Sequence, residues 1–318
     1  MALRSHYSMV FMTERSKLRD ALGARLKENE PLAKYTAARI GGPAEFLVFA
    51  ESAEELAEQV RAARQVGLRP FILGGGANIL VSDAGVRGLV IVNRARRVEF
   101  RERDQPPTVW AESGANLGLL ARQCAARGLS GLEWAATVPG TVGGAVYGNA
   151  GAHGGDVAQN LRMAEILHPD GTVKRWTPQE LAFAYRSSAL KRQKGGHVIL
   201  SAEFEQAFGD PATIQSRIEE FVAQRKRTQP PGASIGSMFK NPPGDYAGRL
   251  IEAAGLKGLR IGQAEISTLH ANFFLNLGQA RAADVFALIH RAHDAVRSKF
   301  GVDLELEIEL VGEWGGQC

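Results

Sequence analysis

The sequence contains little of what several protein classes require. Only two of its 318 residues are cysteine, Cys124 and Cys318, and neither lies at a metal-ligand spacing from another candidate ligand. One possible pair in so long a chain is not the disulfide framework of a small secreted domain. No apolar run approaches the roughly 20 residues of a membrane-spanning helix, and no signal-peptide pattern occurs. We therefore expect a cytoplasmic protein without a membrane anchor or a catalytic metal.

A strong excess of charge of one sign is also missing. The formal net charge is +4, from 38 basic and 34 acidic residues. Basic residues concentrate over Arg94–Arg103, where Glu99 and Glu102 intervene, and at Arg225–Arg227. The first cluster is typical of a solvated strand edge, and the second ends an amphipathic helix, where cations complement the helix dipole. We therefore expect no nucleic-acid partner, whereas a mildly basic surface suits an anionic small molecule.

Hydrophobic periodicity and turn residues divide the chain into four segments. They are an N-terminal extension and helix (1–34), a first strand-and-helix unit (35–97), a second such unit (98–210) and a C-terminal unit (211–318). The first 13 residues are expected to be a frayed extension. Strand and helix patterns mix without any internal repeat, which predicts an α+β fold.

Several elements are specific enough to be placed. Helices are predicted over Glu14–Leu26, from Ser52, over Asn116–Ala126, around 214–222 and over Asp284–Phe300, and strands over Glu45–Ala50, Pro70–Leu73, Val86–Val92, near Val109, near Val173 and over 198–204. Residues Val302–Leu310 alternate strictly between apolar and acidic side chains. This alternation predicts a strand with one buried face and one polar face.

Glycine is abundant, and it concentrates in two places. The run Gly74–Asn78 follows a predicted strand and is either a tight turn or a nest of N–H groups for an anion. A denser stretch runs from Gly128 to Gly155. It indicates either a glycine-rich crossing of two subdomains or main chain that lies against an extended ligand. Two such loops in adjacent units fit a long ligand with phosphates in its middle, which is the shape of FAD.

Eight blocks in order resemble the UDP-N-acetylenolpyruvoylglucosamine reductase family. They are Arg39–Gly42, Leu73–Leu80, Gly128–Gly154, Tyr185–Ser188, Gly236–Pro242, Ala247–Glu252, His270–Phe273 with Asn276, and Leu304–Glu307. The chain resembles the shorter subtype, which lacks an inserted loop with a substrate-binding tyrosine. It departs from the family's usual residues at Tyr35–Ala38, at Ala77, where serine is common, and at Thr137, where glycine is common.

The resemblance implies a fold and a reaction. The fold is a two-subdomain FAD-binding fold of the vanillyl-alcohol-oxidase (PCMH) type, followed by an α+β substrate-binding domain. The reaction is the NADPH-dependent, FAD-mediated reduction of UDP-N-acetylglucosamine-enolpyruvate to UDP-N-acetylmuramate, a step of peptidoglycan precursor synthesis. The expected partners are these small molecules, and the expected state is a monomer.

The resemblance also assigns roles to individual residues. Arg186, Ser237 and Glu307 match the catalytic residues, with Ser237 as the proton donor and Arg186 beside the substrate carboxylate. Lys240, Asn241 and His270 are the candidates for substrate binding. The candidates for FAD binding are Gly74, Gly75, Gly76, Ala77, Asn78, Pro139, Gly140, Thr141, Gly143, Gly144, Asn149 and Ala150.

Two other functions are compatible with the glycine loops. One is another flavoenzyme of the same fold, in which flavin is often attached to a histidine; His153 is the histidine of this glycine-rich stretch and matches no attachment site. The other is a nucleotide-sugar binding protein without catalysis. Such a protein would not need Arg186, Ser237 and Glu307 together, so their joint presence favours the reductase.

Overall fold

The computed structural model describes residues 16–314. The predicted frayed extension and Cys318 therefore lie outside the described residues. The helices are α1 (16–22), α2 (Ala53–Gln65), α3 (Leu117–Ala125), α4 (Val142–Gly148), α5 (Val157–Asn160), α6 (Pro178–Leu181), α7 (Ala189–Gln193), α8 (Pro211–Thr228), α9 (Ala247–Ala253) and α10 (Ala282–Phe300), with 3₁₀ turns at Gly23–Arg25, Leu32–Tyr35 and Glu133–Thr137. None of the helices in this part of the chain has the length and apolarity needed to span a bilayer.

The strands are short and numerous. They are β1 (Lys27–Pro31), β2 (Pro43–Ala50), β3 (Phe71–Leu73), β4 (Ile79–Val81), β5 (Val86–Asn93), β6 (Val98–Arg101), β7 (Thr108–Glu112), β8 (Leu129–Ser130), β9 (Gly151–Ala152), β10 (Gly155–Asp156), β11 (Leu161–Leu167), β12 (Val173–Trp176), β13 (Val198–Glu205), β14 (Ala207–Phe208), β15 (Ala233–Ser237), β16 (Arg260–Ile261), β17 (Ala264–Ile266), β18 (Phe273–Asn276) and β19 (Glu309–Val311). The predicted α+β class is confirmed by this mixture of helices with parallel and antiparallel sheets.

The first unit is built on a four-stranded sheet in the order β1-β2-β5-β3. Its edge strand β1 comes from the segment 1–34, which the sequence division sets apart, and pairs with β2 antiparallel. Strands β2, β5 and β3 run parallel, and α2 makes the crossover from β2 to β3, which lie on opposite sides of β5. The helix begins where the sequence predicts, because the Ser52 side chain accepts a hydrogen bond from the Glu55 N–H at 3.1 Å. Its apolar residues Leu56 and Val60 are fully buried between this sheet and the next unit.

The second unit is an antiparallel sheet in the order β12-β11-β13-β7-β6. Its core includes Phe204 and Cys124, both fully buried. Helix α8 packs into this same core through Ile214 and Ile218, although the sequence division at residue 211 groups it with the C-terminal unit. The apolar stripe of α8 therefore covers the second unit, and its C-terminal end points the Arg225 side chain into the space between units.

The C-terminal unit combines the antiparallel sheet β15-β18-β17-β16 with α9 and α10. Its attachments to the first unit include a strand pairing and a helix cap. Strand β19 pairs in parallel with β4, aligning Leu310 with Leu80. The Asp83 carboxylate accepts hydrogen bonds from the first N–H groups of α10, those of Ala282 (2.8 Å) and Ala283 (3.0 Å).

The predicted strand over Val302–Leu310 is wrong in its extent. Only Glu309–Val311 forms a strand, and Leu306 makes a single bridge to Phe239. The alternation still has its physical cause, since Leu304 and Ile308 are buried. The backbone, however, bonds to different partners in succession, because this segment passes from the C-terminal sheet to the first unit. A regular ladder with one neighbour is therefore not formed.

Asp83→Ala tests the attachment of α10 to the first unit. The first N–H groups of a helix have no partner within the helix, so loss of the carboxylate should lower the free energy of unfolding by roughly 0.5–2 kcal/mol. Urea denaturation measures this change. Asp294→Ala is the matched control, because Asp294 lies on the same helix with its side chain 74% exposed. Equal effects of the two substitutions would contradict the capping role.

Candidate active site

A cleft of about 690 Å³ opens where the three units meet. Its wall contains residues 70–79 of the first unit, Thr137–Thr141 of the second, and Ile235–Ser237 of the C-terminal unit, together with Glu307. The volume lies within the ~300–1,000 Å³ that is typical of ligand pockets. Both glycine loops predicted from the sequence therefore face one common cavity.

Some glycines are needed because the two loops touch. A Cβ atom at Gly74 would lie 2.5 Å from Thr141 Oγ1, and one at Gly75 would lie 3.0 Å from Gly140 Cα. A Cβ at Gly143 would lie 2.8 Å from the Ser113 Cβ. At Gly74 and Gly75 the glycines permit a close crossing of the two units, since a side chain there would push the units apart. At Gly143 the close contact is with Ser113 of the same unit.

Other glycines keep the cleft open. A Cβ at Gly144 would meet nothing nearer than Thr141 Oγ1 at 3.6 Å, and one at Gly148 would meet nothing within 4 Å. Both residues line the cleft, so side chains there would fill the cavity itself. These positions fit main chain that lies against a ligand.

The polar groups of the wall suit a long anionic ligand such as FAD. The arginines and lysines in the wall are Arg64, Arg69, Arg186, Lys191, Lys194 and Arg225. Three buried polar atoms of the wall, Arg186 Nε, His197 Nδ1 and Gln229 Oε1, have no hydrogen-bond partner within residues 16–314. Buried polar atoms are rarely left unsatisfied, so these atoms are available to a ligand. Small residues, cations and free polar atoms thus fit a dinucleotide along the cleft.

Arg186 enters the cleft from a strained turn. Its φ is +54°, a left-handed conformation that side chains rarely adopt, within the tight turn that joins Ala184 to Ser187. The Asn149 carboxamide donates to the Ala184 carbonyl at 3.1 Å and thereby braces this turn. Arg186 Nε forms an ion pair with Glu307, at 3.0 Å from its Oε1, but no atom of the described chain accepts a hydrogen bond from this nitrogen. The hydrogen-bonding capacity of this buried donor is therefore unused within residues 16–314.

Glu307 is held by its backbone on both sides. Its N–H donates to the Met238 carbonyl at 3.0 Å, and its carbonyl accepts from Asn78 Nδ2 at 3.1 Å. The side chain is 15% exposed. Burial raises the pKa of the Glu307 carboxyl, and the nearby cations Arg186, Lys191 and Lys240 oppose this effect without cancelling it.

The structure brings the three predicted catalytic residues together. Arg186, Ser237 and Glu307 all line the cleft. Glu307 is fixed next to Ser237 because its N–H bonds to Met238, the following residue. Ser237 itself ends β15 after a register shift against β18, and Gly236 has a φ of +79° there. Such an irregularity redirects a side chain, here toward the cavity.

The predicted cofactor residues divide into two groups. All of them except Asn149 line the cleft, namely Gly74, Gly75, Gly76, Ala77, Asn78, Pro139, Gly140, Thr141, Gly143, Gly144 and Ala150. Asn149 is buried and lies behind the wall, where its Oδ1 accepts from the Ala158 N–H at 3.0 Å. Its carboxamide is engaged within the protein, so its contribution is to the Arg186 turn.

The predicted substrate residues lie outside the cleft wall. The Lys240 ammonium pairs with Glu305. Asn241 Oδ1 accepts from the Ala247 N–H at 3.1 Å, at the start of α9. His270 Nδ1 accepts from the Asn272 N–H at 3.2 Å, and burial lowers the pKa of this ring. Asn241 and His270 therefore have hydrogen-bond partners within the protein. Lys240 lies outside the wall, but its charge acts on Glu307.

Sequence reasoning missed several side chains of the wall. Tyr147, Lys191 and Glu309 line the cleft, and of the basic run Arg225–Arg227 only Arg225 does. Two signals in the sequence could have indicated them: Tyr147 lies inside the glycine-rich stretch, and Glu309 continues the acidic alternation that includes Glu307.

His153 also lines the cleft, with its ring nitrogens near Thr137 Oγ1 and Gln224 Oε1, both at 3.1 Å. Within residues 16–314, no group of three His, Cys, Asp or Glu side chains could hold a metal ion.

Comparisons with known proteins agree with this geometry. The family model of the FAD binding domain matches residues 44–177, and that of the UDP-N-acetylenolpyruvoylglucosamine reductase C-terminal domain matches residues 227–311. The UDP-N-acetylenolpyruvoylglucosamine reductase of Chloroflexus aurantiacus is 44% identical over 92% of this chain and 99% of its own length. That of Rubrobacter xylanophilus is 47% identical over 90% of this chain and 95% of its own length. The chain belongs to the UDP-N-acetylenolpyruvoylglucosamine reductase family.

A solved structure of this reductase family has the same fold. The crystal structure of UDP-N-acetylenolpyruvylglucosamine reductase from Thermus caldophilus has a TM-score of 0.76 and 40% identity to this chain, and it covers 90% of this chain and 99% of its own. Family membership identifies the chain as an FAD-dependent oxidoreductase, and the resemblance seen in the sequence is confirmed. The FAD-binding match over residues 44–177 contains both of the glycine loops that line the cleft.

Gly144→Val tests the part of the wall that faces open space. The valine side chain should project into the cleft and weaken FAD binding by about tenfold or more, a cost of ~1.4 kcal/mol or above. Titration of the apoprotein with FAD, followed by flavin fluorescence, measures the dissociation constant. Far-UV circular dichroism checks the fold, and Gly144→Ala should give an intermediate effect. Wild-type FAD affinity in the valine variant would place the cofactor elsewhere.

Proposed function

We propose that this reductase converts UDP-N-acetylglucosamine-enolpyruvate to UDP-N-acetylmuramate, with FAD as bound cofactor and NADPH as reductant. The observation that supports it most directly is the convergence of Arg186, Ser237 and Glu307 on the cleft that both glycine loops line. Glycine loops alone would serve any flavoprotein, but this set of side chains provides the charges and the proton that the reaction requires.

When bound and reduced by NADPH, FAD would supply a hydride to one carbon of the enolpyruvyl double bond, and this addition would leave negative charge on the neighbouring carbon and its carboxylate. Arg186 is suited to that carboxylate, because its guanidinium stays charged and its buried Nε has no hydrogen-bond partner within the described chain. A preorganised donor in a site shielded from water can contribute a large share of the catalysis. The turn braced by Asn149 keeps the guanidinium in place before the substrate arrives.

Ser237 is proposed to deliver the proton to carbon. Its position at the irregular end of β15 places it in the cleft beside the segment of Glu307. A serine hydroxyl is a weak acid, so it needs polar neighbours that stabilise the oxygen it leaves behind. The cations near Glu307, which include Arg186 and Lys191, provide that environment.

Glu307 is proposed as the carboxyl that shares Arg186 with the substrate. Because burial raises its pKa, its carboxyl can hold a proton more readily than an ordinary glutamate. A protonated Glu307 donates a hydrogen bond toward the developing charge, and an ionised one orients the guanidinium 3.0 Å away. Both roles keep it within the reacting centre.

Arg225 is proposed to contact the diphosphate of the substrate. It is the residue of the Arg225–Arg227 run that lines the cleft, and its Nη1 donates to the Thr137 carbonyl. Burial lowers the pKa of this guanidinium, but an arginine remains charged near neutral pH.

Four expectations stay predictions from the sequence. They are NADPH as the reductant, the monomeric state, the cytoplasmic location and the unit boundaries.

Ser237→Ala tests the proton donor. Reduction of the flavin by NADPH should proceed as in the wild type, whereas reduction of the enolpyruvyl substrate should slow by roughly 10²–10⁴-fold, the usual contribution of a general acid. Anaerobic stopped-flow absorbance separates these half-reactions. Ser234→Ala is the control, since Ser234 lies on the same strand opposite Leu275 and outside the cleft wall. Unchanged substrate reduction in Ser237→Ala would remove Ser237 from the mechanism.

A further inference from the structure

Three glutamates at alternate positions each face one cation. Glu305 pairs with Lys240, Glu307 Oε1 lies 3.0 Å from Arg186 Nε, and Glu309 Oε1 lies 3.4 Å from Lys191 Nζ. The cations come from separate segments: Lys240 follows β15, Arg186 occupies the strained turn, and Lys191 lies on α7. The row of pairs therefore holds the acidic segment against two units at once.

The pairs differ in how much water surrounds them. The Glu305 side chain is 73% exposed, so its pair contributes little. The side chains of Lys191 and Glu309 are 18% and 35% exposed, and both line the cleft. Charges in such a partly dry site act on one another more strongly than they would in open water. The pair of Lys191 and Glu309 is thus in a position to influence the reacting groups.

Lys191 is placed by the same short segment as Arg186. Ser188 begins α7 and accepts a hydrogen bond from the Lys191 N–H at 3.3 Å, while its hydroxyl donates to the Tyr147 carbonyl at 2.6 Å. Glu309 is placed independently, because its N–H donates to the Asn78 carbonyl at 3.0 Å. Each partner is fixed by its own backbone, so their approach across the cleft does not depend on the ion pair alone.

We infer that Lys191 and Glu309 are a positioning pair, in which Glu309 holds the Lys191 ammonium between two carboxylates and so sets how much positive charge acts on Glu307. The inference rests on the proposed function only in giving Glu307 a role in the reaction. The geometry of the pair is independent of that role.

The groups around Glu307 support this arrangement. Arg186, Lys191 and Lys240 favour its ionised form, while burial favours the protonated form and leaves the pKa raised. Tyr147 also lines the cleft, and burial together with Glu309 raises its pKa to about 12, so it stays neutral near pH 7. Glu309 is therefore the group in the wall that competes with Glu307 for a cation.

Removing the cation and removing the anion of this pair should shift the pKa of Glu307 in opposite directions. Lys191→Met removes a cation and should raise the pKa of Glu307 by about one unit, at the lower end of the effect of a neighbouring charge. Glu309→Gln removes a like charge and releases Lys191 toward Glu307, so it should lower that pKa. In the double variant the two charges are lost together, and the pKa should return close to the wild-type value.

The experiment uses the FAD-loaded protein labelled with ¹³C at glutamate carboxyls. The NMR signal that is absent from Glu307→Gln is followed as a function of pH in wild type, Lys191→Met, Glu309→Gln and the double variant. In parallel, the pH profile of substrate reduction is recorded, and its Glu307-dependent limb should shift in the same directions. Lys226→Met is the charge-matched control, because Lys226 is exposed on α8 and outside the cleft, and it should change neither readout.

The outcomes separate the inference from the proposed function. If wild type does not reduce the enolpyruvyl substrate, the proposed function fails, while the carboxyl titration still tests the pair. Titrations of Glu307 that do not move, or that move in the same direction in both single variants, would overturn the inference. Lys191→Arg also changes the side chain but keeps its charge, and it should preserve the wild-type titration of Glu307. A shift in Lys191→Met alone is therefore caused by loss of the charge and not by local disorder at position 191.

Discussion

The parallel pairing of β4 (Ile79–Val81) with β19 (Glu309–Val311) is the contact on which the site depends. It brings together residues 229 positions apart, Asn78 of the glycine loop and Glu307 of the C-terminal segment. Asn78 bonds on both sides of the acidic row, through its carboxamide to the Glu307 carbonyl and through its own carbonyl to the Glu309 N–H. Without this short strand pairing, the Gly74–Asn78 loop and the Glu307 carboxyl would belong to separately packed units.

The site contains two energetically unfavourable features, a buried carboxyl and a strained turn, which the surrounding structure holds in place. Glu307 is buried enough that three cations do not restore its ordinary pKa. Arg186 has a positive φ, which costs of order 1–3 kcal/mol in a residue with a side chain. Its turn is braced by Asn149 at Ala184 and by Arg192, whose guanidinium donates to Ser187 Oγ at 3.2 Å. Such features cluster at functional sites because catalysis needs groups that are charged, poorly solvated and fixed before the substrate binds.

The parts of the structure that could be predicted from the sequence are those with local causes. Ser52, Asn116 and Gly301 mark helix ends through their own capping hydrogen bonds or a left-handed φ, so α2, α3 and α10 lie where their sequences indicate. The acidic alternation predicted a buried face correctly, but not its backbone partners, because these lie on other units. The same limit applies to the predicted substrate residues. Whether Asn241 faces a ligand or caps α9 depends on tertiary contacts that the sequence does not display.

The central claim is that one cleft holds FAD beside a centre that reduces an enolpyruvyl nucleotide sugar. An anaerobic flavin absorbance trace of the FAD-loaded protein tests it most directly, with NADPH added first and UDP-N-acetylglucosamine-enolpyruvate second. The account predicts bleaching of the flavin by NADPH and recovery of its absorbance only after the nucleotide sugar is added. Bleaching without recovery would contradict the proposed substrate.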